Sequence, residues 1–311
     1  MKELIIYIDS CYINAREENI RDCINSIEKN IGITDYSYYI LVSNDNLESL
    51  YKTLIGNKIH KIKNIDNPKW WAHNFNDFVD ECKGNFKNLM MTHDDVTIET
   101  NNFYNIYLEE TKNTPPDNLG FTTFRNIGYN KINQLISNSA RTGIAKDRSA
   151  LSSYECHTNN INNLDWPKKT CVVWATFHMV NIISFKNILK ISPLDAFGNW
   201  PVLADEDFSM EAMLKGMDNI WIPHIDFIHP LRVETRLKGA DNPYRNASLP
   251  EKNFSKKWGI SWGGRNYTDE DIQSLIERYK GTKFEKFYNK YSYEYIYLDE
   301  YIKNGNYESN K

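Results

Sequence analysis

The chain contains no long apolar run, no block of consecutive basic residues, no Cys-x-x-Cys pair and no internal repeat. No window approaches the ~20 apolar residues that a helix needs to cross a bilayer. A net charge of −4 without a basic cluster argues against a nucleic-acid polymer as partner. The five cysteines (Cys11, Cys23, Cys82, Cys156 and Cys171) are odd in number and scattered, which predicts reduced thiols and neither a disulfide framework nor a zinc site. Glu155-Cys156-His157 has no flanking residues to complete a metal or nucleophile site. The chain opens on an apolar stretch, Leu4 to Ile8, with no basic segment or small-residue cleavage site before it. The expectation is a cytoplasmic protein with no transmembrane segment.

With 311 residues, 41% of them hydrophobic, the chain can bury a sizeable core in one large α/β domain with an elaborated end, or in two domains. Aromatic content is high at 14%, with 20 Tyr and 8 Trp. Such rings line sugar and nucleobase sites, and they also fill cores.

The first half alternates strand and helix signals. Leu4-Ile5-Ile6-Tyr7-Ile8 reads as a strand buried on both faces, and Ile20, Cys23, Ile24 and Ile27 lie at helical spacing. Tyr38 to Val42 predicts a second strand, Leu47 to Leu54 a helix, Lys58 to Ile65 another strand, and Trp70 to Cys82 a helix capped at Lys83-Gly84. Leu89-Met90-Met91 is the next strand and runs into His93-Asp94-Asp95. This order predicts a mostly parallel, Rossmann-like sheet flanked by helices, with ligands at the carboxyl ends of the strands. Asp9, Asp45 and Asp95 fall at such ends. Residues 111–166 are polar and Asn-rich and read as a long loop or excursion. Ordered signals resume at Cys171 to Trp174. Ile220 to Ile222 predicts a strand leading to His229, and Thr268 opens a helix striped with Ile272, Leu275, Ile276 and Tyr279. The boundaries expected are 1–232 for the main domain and 233–311 for a C-terminal helical and aromatic extension packed on it. Its tail repeats Tyr at 291, 293, 295 and 297, a candidate surface for oligomerisation, acceptor docking or weak membrane contact.

Two acidic clusters carry chemistry. Asp205-Glu206-Asp207 stands at the mouth of an apparent helix that ends at Lys215-Gly216, where the helix dipole favours ionised carboxylates. A carboxylate on a rigid element suits the task of accepting a proton from an incoming hydroxyl. Asp94-Asp95 is the second cluster. Together they suggest a metal-assisted group transfer. Ordinary helix-start chemistry and a polar strand-end turn are the plain alternatives.

In order along the chain, four pieces resemble the family 2 glycosyltransferases of the type A fold, over roughly Leu4 to Pro230. They are Asn14 with Asn19-Ile20, Cys23-Ile24 and Ser26-Ile27; Asn76 through Lys83-Gly84; His93-Asp94-Asp95-Val96; and Leu194-Asp195-x-Phe197 followed by Glu206-Asp207 and Lys215-Gly216. Ser10-Cys11 stands where the family usually has Pro, Ser43 where an Asp commonly holds the uracil, and His93 where the metal motif begins with Asp.

The resemblance implies an inverting, metal-dependent transfer from a nucleotide sugar, a UDP-sugar foremost, to a glycan, lipid-linked or protein acceptor, as in polysaccharide biosynthesis. Asp95 is the implied ligand of Mn²⁺ or Mg²⁺, with His93 or Asp94 on the metal or the ribose. His229 resembles the late histidine that completes such a site, and His224 competes with it. Asp207 is the implied general base, with Glu206 orienting the acceptor. Asp9, Asn14 and Asp45 are candidate nucleoside contacts, and Asn76 belongs to the matched helix. Trp258 and Trp262 are candidates either to stack on an acceptor sugar or to pack in the core. Arg125, Arg141 and Arg148 either reach the diphosphate or remain solvated loop charges. Two rivals are a sugar-phosphate nucleotidyltransferase, which the missing glycine-rich, lysine-bearing first turn disfavours, and a non-catalytic glycan-binding protein that retains the fold.

Overall fold

Apolar residues of β1 (Lys2–Ser10) divide between two cores by the two-residue period of a strand. Leu4, Ile6 and Ile8 face one helical layer, while Ile5 and Tyr7 face the other. The computed structural model describes residues 1–10, 16–65, 71–126, 141–144, 151–154, 169–170, 180–191, 204–229, 248–259 and 269–282. The remaining strands are β2 (Tyr36–Val42), β3 (Ile59–Asn64), β4 (Phe86–His93), β5 (Thr97–Ile98), β6 (Leu119–Asn126), β7 (Arg141–Ile144), β8 (Leu151–Tyr154), β9 (Lys169–Thr170), β10 (Asn181–Ser184) and β11 (Asp218–Ile228). The helices, numbered in chain order, are α1 (Glu17–Asn30), α2 (Asp45–Ile55), α3 (Trp71–Cys82), α4 (Phe103–Thr111), α5 (Phe185–Ile188), α6 (Ala204–Leu214), α7 (Ser248–Trp258) and α8 (Asp269–Arg278).

The main sheet runs β3-β2-β1-β4-β10-β6-β11-β5, with β9 paired to β11. β1, β2, β3 and β4 are mutually parallel, and β11 is parallel to β6. β10 runs antiparallel between β4 and β6, as do β5 and β9 against β11. β7 and β8 form a separate hairpin.

Local signals explain the elements. In α1 the stripe Ile20, Cys23, Ile24 and Ile27 is fully enclosed against β1, β2 and α4. The Asn44 side chain accepts from the Leu47 amide at 3.0 Å, capping α2. After α3 the chain turns at Gly84 with φ 81°, a left-handed conformation that costs glycine little. On the opposite face, Phe75 and Phe78 of α3, Phe185 of α5 and Phe208 of α6 pack around Tyr7 and Tyr39. Each such enclosed ring stabilises the fold by about 1.5–3 kcal/mol through lost apolar surface. Phe254 and Trp258 of α7, with Tyr279 after α8, belong to this same core.

The stretch 111–166, read as a loop, holds the central strand β6 and the β7–β8 hairpin. Polar residues hid β6: Thr122 and Thr123 are buried, and Thr123 donates to the Val180 carbonyl at 3.3 Å. Branching at Cβ makes threonine a good strand former, so burial with a satisfied hydroxyl is cheap. Gly120 lets β6 approach β11, since a Cβ there would lie 2.5 Å from Asn219 Oδ1. Asn219 accepts from the Phe121 amide at 3.0 Å and donates to the Ser209 carbonyl at 3.0 Å, clipping β6 to α6. Cys171 to Trp174 and the Tyr291–Tyr297 repeat lie outside the described residues. Among the described residues, no helix is long and apolar enough to cross a membrane.

Candidate metal centre at the carboxyl edge of the sheet

Parallel pairing sets Asp9 of β1 beside His93 of β4, both at the carboxyl ends of their strands. The chain then turns through Asp94 and Asp95 to Val96, whose amide approaches the His93 carbonyl at 3.5 Å. This tight turn brings Asp95 beside the His93 ring, with Nδ1 and Oδ1 3.1 Å apart. β11 brings His229 to the same point from its own carboxyl end, and its Nε2 lies 3.3 Å from the same oxygen of Asp95. The two imidazoles meet edge to face, with centroids 6.1 Å apart. Ligand atoms of His93, Asp95 and His229 lie within 4.8 Å of one another.

Surrounding groups fix this cluster. Asp94 Oδ1 lies 3.5 Å from His93 Nδ1, and its Oδ2 accepts from the Ser10 hydroxyl at 3.1 Å. Ser10 in turn shares a short hydrogen bond with the Tyr51 hydroxyl of α2. The Cys23 thiol of α1 donates to the His93 carbonyl at 3.5 Å. Burial raises that thiol well above its ordinary range, and the charges of Asp94 and Asp95 add to the effect, so Cys23 is a neutral donor. Burial by itself disfavours a charged His93, but hydrogen bonds and charge from Asp94 and Asp95 outweigh it and push the imidazole up to about 10. Burial likewise disfavours an ionised Asp95, yet His229 and His93 hold it well below the usual carboxylate range.

Two nitrogens and a carboxylate, mutually close and carried by rigid strand ends, are a donor set that a first-row divalent cation accepts, with coordination positions left for substrate oxygens. His93, Asp95 and His229 would hold the ion. His224 is exposed on β11, apart from this group.

Other candidates stand elsewhere. Asp45 is exposed at the start of α2 and accepts from Asn64 at 2.9 Å. Asn76 is half-buried in α3. Asn14, Arg148 and Trp262 lie outside the described residues, as do the side chains of Arg125, Arg141 and Glu206. Trp258 is 1% exposed and packs in the core, so it is not available to stack on a sugar face. Core packing, the plainer alternative, holds for this ring.

Asp207 sits in α6 at 0% exposure. A short turn joins α6 to β11, the strand that leads into His229. Among the described residues, Asp207 is not one of the group of His93, Asp95 and His229 whose ligand atoms lie within 4.8 Å of one another. Its Oδ1 accepts from Trp258 Nε1 at 2.7 Å and pairs with Lys257 Nζ at 2.8 Å. Burial raises the Asp207 carboxyl, against the pull of Lys257. For Lys257, burial disfavours the charge, yet Asp207 and Glu211 together keep it above the ordinary lysine range. These partners lie some 50 residues downstream, and nothing in the sequence motif announces them.

No protein-family model matches the sequence, and no curated protein sequence matches it. Solved structures do. A crystal structure of GalNAc-T7 with UDP, GalNAc and Mn²⁺ superposes with a TM-score of 0.61 at 12% identity, covering 99% of this chain and 56% of that one. The mannosyltransferase PcManGT from Pyrobaculum calidifontis, in complex with GDP-Man and Mn²⁺, gives a TM-score of 0.52 at 10% identity, covering 89% of this chain and 68% of that one. This chain thus spans little more than half the length of the first of these. The likeness establishes the architecture: a glycosyltransferase type A fold, with the cluster of His93, Asp95 and His229 at the carboxyl edge of its sheet.

Proposed function

We propose that the protein is a metal-dependent glycosyltransferase of the family 2 type. It moves a sugar with inversion from a nucleoside-diphosphate sugar, a UDP-sugar foremost, to a hydroxyl of a glycan, lipid-linked or protein acceptor. The observation that carries this reading is the grouping of His93, Asp95 and His229 at the carboxyl edge of a type A sheet, with ligand atoms within 4.8 Å of one another. Ligands of open α/β sheets bind at that edge. A divalent cation held there supplies Lewis-acid stabilisation of the charge that develops on a departing diphosphate. Two imidazoles beside one carboxylate suit Mn²⁺ better than Mg²⁺, which prefers an all-oxygen shell.

The chain's own residues do the remaining work. His93 and His229 hold Asp95 ionised, so the site is ready to take a cation. Asp9 and Asp94, at adjacent strand ends with Ser10 fixing Asp94, contact the nucleoside, and Asp45, Asn14 and Asn76 are further candidates for the donor nucleotide. Asp207 takes the proton from the acceptor hydroxyl. The acceptor oxygen then bonds to the anomeric carbon, while the bond from that carbon to the phosphate oxygen breaks and its electron pair leaves with the nucleoside diphosphate. Glu206 orients the acceptor. The role fits surface polysaccharide or glycoconjugate assembly in the cytoplasm.

A thermal-shift screen of UDP- and GDP-sugars with and without Mn²⁺, followed by assay of nucleoside diphosphate release, tests the proposal. A ligand held at about 100 times its Kd stabilises the native state by about 2.7 kcal/mol, which such a screen resolves. The expected result is a shift that needs both nucleotide sugar and metal, with release of the diphosphate and a product of inverted anomeric configuration. A shift with nucleoside triphosphates alone would transfer the reading to a nucleotidyltransferase. Binding of glycans without any turnover would transfer it to a binding protein.

A further inference from the structure

Asp207 presents two unlike oxygens. Oδ1 is saturated, holding the indole N–H of Trp258 at 2.7 Å and the Lys257 ammonium at 2.8 Å. Oδ2 is fully buried and has no hydrogen-bond partner among the described residues. A buried carboxylate oxygen left in that state costs about 1–3 kcal/mol, so it stands as a place for a donor that arrives with a ligand.

The two groups that hold Oδ1 come from α7, far along the chain from α6. Lys257 and Trp258 are the last residues of α7, and α7 is itself tied down from α8: Arg278 donates to the Lys257 carbonyl at 2.6 Å and Tyr279 to the Trp258 carbonyl at 2.9 Å. Tyr279 stacks on the Trp258 indole at 6.3 Å between centroids. The Lys257 ammonium lies 5.1 Å from the same indole and also pairs with Glu211, one helical turn beyond Asp207, at 2.8 Å. Among the described residues, the charged and titratable groups around Asp207 and its partners are Glu211 from α6, Lys257 from α7, and Arg278 and Tyr279 at the end of α8.

We propose that Lys257 and Trp258 are positioning residues for the transfer reaction: by occupying Oδ1 from the C-terminal part, they fix the Asp207 carboxylate so that Oδ2 receives the acceptor's proton. This rests on the reading of Asp207 as general base. Trp258, which donates one fixed N–H, sets the rotamer, and Lys257 opposes the rise that burial imposes on the carboxyl. α7 and the end of α8 thereby complete the site that α6 begins.

The test is release of UDP from a UDP-sugar with Mn²⁺, measured against pH for Asp207→Asn, Trp258→Phe and Lys257→Met in the full chain. Asp207→Asn should lose about 10²–10⁴-fold in kcat, the usual worth of a positioned general base. Trp258→Phe keeps a ring but loses the N–H, and should lower kcat roughly tenfold with the donor KM unchanged. Lys257→Met should move the acid limb of the kcat profile to higher pH by about one unit, with Lys257→Arg restoring it. If Lys257→Met does not fold, the kcat-against-KM split of Trp258→Phe decides. An inactive Asp207→Asn beside Trp258→Phe and Lys257→Met variants with parental kcat and acid limb would overturn the positioning role alone. A fully active Asp207→Asn would overturn the base assignment, and the positioning role with it.

Discussion

The two acidic regions of this chain hold their carboxylates by opposite means. At the sheet edge, Asp95 is clamped between two imidazoles delivered by β4 and β11, and the result is a carboxylate that ionises with unusual ease. Within α6, Asp207 is buried at 0% exposure beside an ammonium and an indole, and burial raises it instead. The difference follows from what each neighbourhood offers. Two hydrogen-bonding rings overcome desolvation at Asp95, whereas one shared lysine, divided between Asp207 and Glu211, does not at Asp207. The first arrangement suits a fixed anion that waits for a cation. The second suits a group that exchanges a proton.

The largest expected effect comes from removing the anion at the sheet edge. Asp95→Asn should lower metal-dependent turnover by about 10³-fold, since it removes the carboxylate from the group proposed to bind the cation. Isothermal titration with Mn²⁺ should show the loss as an affinity change. Retained affinity would break the assignment. His229→Ala should weaken Mn²⁺ binding by about 10–100-fold through loss of one of three protein ligands, while His224→Ala should leave it unchanged. If the two histidine variants behaved alike, the grouping of His93, Asp95 and His229 would not be the binding unit.

The pH dependence of metal binding has a definite sign. His93 ordinarily titrates near 6.5 and is raised to about 10 in the metal-free fold. The stability it contributes as an imidazolium is therefore present below about 6.5 and lost as pH rises toward 10. A metal ligand must be neutral, so the cation has to displace that proton. Mn²⁺ affinity should rise by up to about tenfold per pH unit across this window, and titrations at pH 6, 7 and 8 would measure it. An affinity independent of pH would mean that His93 does not ligate.

Much of this arrangement was legible before any coordinates, for physical reasons that differ by element. Runs such as Leu4 to Ile8 and Tyr38 to Val42 are buried on both faces, so they carry apolar residues without interruption and declare themselves as strands. β6 did not, because its buried threonines look polar in one dimension and become apolar in effect only once Thr123 has the Val180 carbonyl to bond. The antiparallel insertion of β10, Asn181 to Ser184, is four residues long and gives no periodic signal. His93 and Asp95 were legible as a strand-end pair, since a single residue separates them. His229 was legible only through family resemblance, because pairing of β11 with β6 brings it near. The partners of Asp207 could not be read at all: Lys257 and Trp258 meet it only because α7 packs on the core through Phe254 and Trp258.

The smallest effect sharpens the contrast most. Lys257→Met leaves the Asp207 carboxylate buried without its counter-ion, and a broken buried pair is normally costly. Here the cost is limited, because Asp207 can take up a proton and because the Lys257 side chain is 27% exposed. Removing the ammonium raises the folded-state titration of Asp207 further above that of the unfolded chain, so stability falls as pH rises through that interval. Denaturant unfolding should therefore show a loss of about 1–2 kcal/mol at pH 8 and less at pH 5, with Mn²⁺ affinity unchanged at both. A loss that was equal at the two pH values would mean that the lysine acts through its packed stem and not its charge. A loss accompanied by weaker Mn²⁺ binding would mean that the sheet-edge and helix-borne carboxylates form one coupled network, and the separation of roles between them would fail.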